Sequence, residues 1–518
     1  MAIEISGNAL SSQNSPTYLK LLAASPKLAA KDATLWGKDA EAEATVRLNW
    51  IDLPESSREL LPAIAELTSW ADSKQLTHVI LAGMGGSSLA PEVMSKAYRR
   101  ALTVLDTTDP DQLNAALPQG FAHTVVVVGS KSGSTIETAS HKSYFEKAIT
   151  DAGLNPVDHM VIVTDPGSPL DISARAQGLR TINADPHVGG RYSALSAFGL
   201  VPAALIGIDV SEILEDARRA ATTFALDNSP AVVLAATLFD SGEQNVAFSD
   251  HGSSTPGLSD WIEQLVAEST GKNQRGRLPI AIENIESPVA GPRLLIGLSA
   301  EDHQSADLTV IATLGEHFIL WEWVTALLSI ALEVDPFNQP NVTEAKERTS
   351  AILAKWATLK ESEETPISPA FENENLQVFS SSTAGSLEEQ FADFLKNSSH
   401  YIAVMAYLAR GIDDEITKIR PLIATKSGRG TTFGWGPRFL HSTGQFHKGG
   451  QQNGIFIQIT GENTSDLQIP GKEFSFHTLL MAQALGDGEA LSDRDFPLIR
   501  IHLKNRSAGI AEIIAALK

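Results

Sequence analysis

TVVVVGSKSGSTIETAS, residues 124–140, decides how the rest of the chain is read. A β-branched run, Thr124 to Val128, drives straight into Ser130, Lys131, Ser132, Ser134 and Thr135. Ile136, Ala139, Phe145 and Ala148 then serve as the apolar positions of a helix. A strand that ends in small hydroxyl residues and opens a helix is a place to hold an anion, because unpaired N–H groups and the positive end of the helix dipole converge there. Hydroxyls add donors without bulk, and Gly133 lets the backbone close in. Neither GxxxxGK[ST] nor GxGxxG is present, so a small phosphomonoester is a simpler ligand than a nucleotide.

Working outward, THVILA (77–82), LTVLD (102–106) and MVIVTD (160–165) are strand-like runs that flank the opening stretch, with helical segments between them. That rhythm belongs to a parallel sheet with crossover helices. A second set follows at NVAFSD (245–250), LLIGLS (294–299) and LTVIATL (308–314), without sequence repetition between the sets. Residues 1–75 read as a helical lead-in, 76–230 as a first α/β domain and 231–360 as a second. The polar stretch 361–385 reads as a linker, and 386–518 as a smaller C-terminal α/β segment. Ser386 and Glu389 form a capping-box pattern at the start of that segment. It closes on a helix with Ile510, Ile513, Ile514 and Leu517 on one face and Ser507 as the expected cap.

The 518 residues suffice for two or three cores. A net charge of −22 opposes nucleic acid and acidic membrane surfaces, so any bound anion requires a locally positive cleft. The absence of cysteine excludes disulfides and thiolate chemistry. The N-terminus lacks a basic n-region and an apolar h-region, and the most apolar run, Phe318 to Leu332, is short and carries Glu322. A cytoplasmic, non-membrane protein is the expectation.

Three further stretches carry chemistry. GMGGSSLAPEVM (83–94) follows the first strand; Gly85 and Gly86 allow close backbone approach and Ser87 supplies a hydroxyl, although a plain βα turn would look similar. Two hydroxyl-rich turns on neighbouring strands together make a phosphate pocket. DPHVGGRYSALSAFGL (185–200) places Arg191 where a fixed cation can meet oxyanion charge, and an interdomain salt bridge fits the same spacing. WIEQLVAESTGK (261–272) sets Gln264 and Glu268 four apart on one helical face. Glu268 is thereby a candidate general base, or a solvated surface acid.

Taken in order, GMGGSSLAP, GSKSGSTIET, HVGGRYSALSAFGL, QLVAESTGK and DPFNQPNVTEAK closely resemble the motifs of phosphoglucose isomerases. DPFNQPNVTEAK and LHSTGQFHKGG look most like the isomerase half of bacterial proteins that fuse transaldolase to phosphoglucose isomerase; the N-terminal stretch is too short for a transaldolase barrel. The resemblance implies two parallel-sheet sugar-isomerase domains of flavodoxin-like type in series, plus the C-terminal segment. It implies reversible interconversion of glucose 6-phosphate and fructose 6-phosphate. Ser87, Ser130, Lys131, Ser132 and Thr135 match the residues that hold the sugar phosphate. Arg191 matches the arginine that stabilises the enediolate, Gln264 a substrate-contacting glutamine, and Glu268 the base. Gln339 and Lys346 match the glutamine and lysine of the family's FDQxGVExxK motif, whose lysine is linked to ring opening.

The chain departs from the family pattern at Asn338 and Thr343, where Asp and Glu are usual. The ring-opening histidine usually precedes the lysine motif. Here the nearest likeness lies downstream, which makes His441 and His447 candidates by resemblance alone. No metal spacing or nicotinamide or flavin fingerprint appears, so no metal or cofactor is expected. The expected partner is a small sugar phosphate; a homodimer is one assembly the sequence leaves open. A non-catalytic sugar-phosphate-binding regulator on the same fold would use the two hydroxyl-rich turns without needing Glu268 or Arg191.

Overall fold

The computed structural model describes residues 3–358 and 368–518. The chain divides into two compact units: residues 1–106, 116–285 and 294–338 in the first, and 107–115, 286–293 and 339–518 in the second.

The first unit holds two five-stranded sheets. Its strands in chain order are β1 (Glu4–Gly7), β2 (His78–Gly83), β3 (Thr103–Leu105), β4 (Thr124–Gly129), β5 (Met160–Thr164), β6 (Arg180–Asn183), β7 (Asn245–Ser249), β8 (Leu278–Ala281), β9 (Leu294–Gly297) and β10 (Leu308–Ile311). One sheet runs β3-β2-β4-β5-β6, parallel throughout, and the other β1-β10-β9-β7-β8. The valines of β4 are buried on both faces, as a central parallel strand requires. The second sheet is parallel apart from β1, which pairs antiparallel with β10. The lead-in therefore begins with a strand where the sequence suggested helix alone; a four-residue edge strand is too short to show a period.

One hydrophobic core runs through this unit. Tyr18, Leu28, Trp50 and Leu67 of the lead-in join Val125 and Val127 of the first sheet and Ile296 of the second. The helix Leu314–Leu332 is buried at every position, which explains why its apolar residues form no stripe.

The second unit is built on a six-stranded sheet, order β11-β12-β16-β15-β13-β14, from β11 (Phe371–Glu372), β12 (Leu376–Phe379), β13 (Tyr401–Ala406), β14 (Gly430–Trp435), β15 (Gly454–Gly461) and β16 (Leu498–Leu503). The described part of the stretch read as a linker thus carries two strands: Leu376 and Val378 turn into the core while Gln377 and Phe379 face outward. Residues 361–367, the start of that stretch, and 359–360 before it lie outside the described residues. Ser386 caps its helix as the pattern suggested, accepting from Glu389 N at 3.3 Å. The final helix, Arg506–Leu517, is capped by Asn505, not Ser507; Asn505 Oδ1 accepts from Ala508 N at 3.2 Å. Residues 107–115 are held in this unit by Arg506, which reaches Asp109 at 2.7 Å, Asp413 at 3.0 Å and Asp111 at 3.7 Å.

Candidate functional site

Strand order in the parallel sheet reverses between β2 and β4, since β3 lies to one side of β2 while β5 and β6 lie beyond β4. Loops leaving such a point diverge and open a crevice at the strand C-termini. Gly83 and Gly129 are register partners, so the two hydroxyl-rich turns leave the sheet at the same level. A Cβ at Gly129 would lie 3.2 Å from Ser87 Cβ, and one at Gly86 would fall 1.9 Å from Gly190 O. The first contact is tight and the second is impossible. The turns around Ser87, Ser130 and Arg191 therefore meet.

Within the second turn, Ser130 Oγ accepts from Gly133 N at 3.1 Å. Gly133 has φ +77, and a Cβ there would lie 2.5 Å from Leu170 Cβ, so no other residue fits. Ser132 and Ser134 hydroxyls are 2.6 Å apart, and Thr135 is the N-cap of helix Ile136–Asp151 with a hydroxyl that makes no capping bond. Ser87 Oγ accepts from Met84 N at 3.0 Å, closing its own turn. Lys131 behaves differently from the sequence expectation. Its ammonium sits 2.9 Å from Asp165 and donates to Val188 O at 2.8 Å, and burial pushes both charged groups toward their neutral forms. Lys131 braces the turn to its neighbours, beside hydroxyls and a helix N-terminus of a kind suited to an anion.

Beside these turns lies a buried ion pair. Glu268 stands in the last turn of helix Leu258–Thr270, and its Oε1 is 3.1 Å from Arg191 Nη1. Gln264, one turn earlier, donates to Glu268 Oε2 at 3.2 Å, as the i, i+4 spacing required. Arg191 Nε donates to Ser269 Oγ at 2.8 Å, and Nη2 donates to Pro336 O and, at 3.1 Å, to Asn338 O. Arg191 is 4% exposed and Glu268 8%, so Glu268 is not the solvated surface acid its spacing also allowed. Arg191 and Glu268 come from the two stretches read from sequence as separate α/β domains, and both belong to the first compact unit. Tyr192 packs behind the pair with its hydroxyl 3.3 Å from Ser269 Oγ, and burial raises its phenol well out of the physiological range.

The remaining candidates fall in the second unit, because the division comes between Asn338 and Gln339. Gln339 and Lys346 are exposed, the latter on helix Pro340–Thr358. Glu344 of the same helix is held near pKa 2 chiefly by its hydrogen bonds from Arg494. His441 is half-buried. His447 is 2% exposed, stacked on Tyr401 at 5.7 Å and edge-on to Phe456 at 5.3 Å. Burial drives its imidazole down to about 3, so it stays neutral at physiological pH. His447 is packed among these rings in this environment.

Sequence reasoning missed Ser269, Lys272 and the carbonyls of residues 335–338. Ser269 and Lys272 stand in the ESTGK stretch whose glutamate drew attention, but backbone acceptors leave no mark in a sequence.

Comparison with known proteins accords with this geometry. Residues 63–275 match the family model described as phosphoglucose isomerase. The glucose-6-phosphate isomerase of Trichormus variabilis is 34% identical over 248 residues, which cover 43% of this chain and 47% of that protein. The enzyme of the same name from a Cyanothece species is 37% identical over 214 residues, covering 38% of this chain and 40% of that protein. The chain thus spans about half the length of such relatives, or less. The crystal structure of a glucose-6-phosphate isomerase from Chlamydia trachomatis superposes with TM-score 0.56 at 18% identity, covering 70% of this chain and 90% of that one. That likeness shows the α/β fold.

Proposed function

We propose that the chain interconverts glucose 6-phosphate and fructose 6-phosphate through an enediolate. The observation that carries this reading is Glu268, a buried carboxylate fixed between the Arg191 guanidinium and the Gln264 amide, beside turns suited to a phosphate. On this reading the hydroxyls of Ser130, Ser132 and Thr135 hold the phosphate with the N-terminus of their helix. Glu268 takes the proton from C2 and returns it to C1, and Arg191 stabilises the oxyanion that forms between those steps. The names of the curated relatives point to the same reaction. Ring opening calls for a separate acid or base, for which Lys346 and His441 are the candidates by family resemblance. A sugar-phosphate-binding regulator would have no use for a buried arginine–glutamate pair.

The test is Glu268→Gln, which keeps volume and hydrogen bonding but cannot accept a proton. The expected loss in kcat is at least about a hundredfold, with sugar-phosphate binding retained. In heavy water the native protein should exchange the C1 proton of fructose 6-phosphate and the C2 proton of glucose 6-phosphate, and the variant should not. Exchange at a comparable rate in Glu268→Gln would assign the base elsewhere.

A further inference from the structure

Lys272 lies just past the helix that carries Glu268, and its ammonium donates to Asp335 O. The residue is 4% exposed, and the charged groups that face it are Arg191, Asp335 and Glu268. Asp335 starts a short turn of its own, with its carboxylate accepting from Phe337 N at 2.8 Å. The next carbonyls along this turn, Pro336 and Asn338, are the ones that accept from Arg191.

The Arg191 guanidinium is therefore held by two elements. The end of helix Leu258–Thr270 supplies Ser269 and Glu268; the turn 335–338 supplies two carbonyls. A planar fork is aimed correctly only if its acceptors keep their spacing. Lys272 ties these same two elements together independently of Arg191. A buried lysine costs more than an apolar residue of the same length would. Burial pushes Lys272 well toward its neutral form and Arg191 adds to that push, with Asp335 and Glu268 opposing it. An amine in either protonation state still has an N–H to give the carbonyl, so the tie itself does not require charge.

We propose that Lys272 is a positioning residue: by holding the Asp335 carbonyl it sets the Pro336 and Asn338 carbonyls, and through them the aim of Arg191 at Glu268. This rests on the roles proposed above for that pair. It adds a residue that never touches substrate yet governs the chemical step.

The experiment compares Lys272→Met, Lys272→Arg and Glu268→Gln in the full chain, with kcat and KM for fructose 6-phosphate measured per folded molecule. Lys272→Met should lower kcat about tenfold or more while KM stays within about twofold, since the phosphate donors are untouched. Lys272→Arg, which keeps a donor, should recover a substantial part of that loss. In a double-mutant cycle with Arg191→Lys, the combined loss should fall short of the product of the single losses, because both act through one turn. The proposal is overturned if Lys272→Met keeps native kcat, if the loss appears in KM, or if the cycle is multiplicative while Glu268→Gln is inactive. An active Glu268→Gln overturns the functional reading itself, and this inference with it. Should Lys272→Met fail to fold, Lys272→Ala, which also lacks a donor, takes its place in the same cycle.

Discussion

Arg191→Lys separates charge from geometry at the proposed centre. The native guanidinium serves Glu268 Oε1 at 3.1 Å, Ser269 Oγ at 2.8 Å and the Pro336 and Asn338 carbonyls together. A lysine ammonium keeps the charge but is compact, and cannot span a carboxylate on one side and two carbonyls on the other. Loss of one well-aimed oxyanion donor costs roughly 2–4 kcal/mol of transition-state stabilisation. At about 1.4 kcal/mol per factor of ten, that is a fall in kcat of about thirty- to nine-hundredfold. The effect on folding should be smaller, because Glu268 still has a cation nearby. Arg191→Met is the contrast: it strands a buried carboxylate, at a cost of about 3–5 kcal/mol in stability. The assay is isomerisation of fructose 6-phosphate coupled to detection of glucose 6-phosphate, run beside thermal unfolding. Arg191→Lys with near-native kcat and a large drop in unfolding temperature would refute the reasoning and make Arg191 a structural cation.

Two further expectations concern the loop brace and the buried imidazole. Lys131→Ala removes the tie to Asp165 and Val188 and should raise KM for the sugar phosphate several-fold, with a smaller change in kcat; an unchanged KM would place the anion elsewhere. His447→Phe should leave kcat within about twofold, while leaving the Tyr401 hydroxyl without its 3.2 Å partner lowers stability by about 1–3 kcal/mol. Because burial holds His447 at a pKa of about 3 in the folded chain, below the ordinary imidazole value of 6.5, its contribution is present above pH 6.5 and is lost as pH falls toward 3. Denaturant midpoints measured across that window should fall less steeply for His447→Phe than for the native chain, and parallel curves would count against a buried neutral imidazole.

The parts of this molecule that were legible in the sequence are those whose cause is local. The β4 valines, the hydroxyl-rich turn after them and the four-residue spacing of Gln264 and Glu268 each announce a strand, a loop or a helical face without help from distant residues. Where the cause is remote, the reading went astray. β1 exists because β10 offers it an edge, and β12 because β16 does; neither is long enough to carry a period of its own. The pairing of Lys131 with Asp165, thirty-four residues away, has no local mark in the sequence. The packing of Tyr401 and Phe456 around His447 is equally invisible in the sequence.

The same distinction explains how a chain of net charge −22 holds a cationic centre. Helix Leu314–Leu332 ends at Glu333, in a left-handed conformation with φ 56, and its last carbonyls have no partners within the helix. Cations gather on them and on the turn beyond: Lys20 on Ile330 O at 3.2 Å, Arg275 on Leu332 O at 2.8 Å, Lys272 on Asp335 O, and Arg191 on Pro336 and Asn338. Carbonyl dipoles orient a cation without cancelling its charge. Among the described groups bonded to Arg191, Glu268 carries a formal negative charge. On the proposed mechanism, proton transfer from C2 neutralises Glu268 at the moment the enediolate becomes negative. The charge opposite Arg191 then moves from carboxylate to oxyanion without changing in number. A guanidinium already fixed by carbonyls need not reorganise for that exchange, which is the condition under which electrostatic stabilisation is most effective. Surface charge elsewhere on the chain, however acidic, has little part in it.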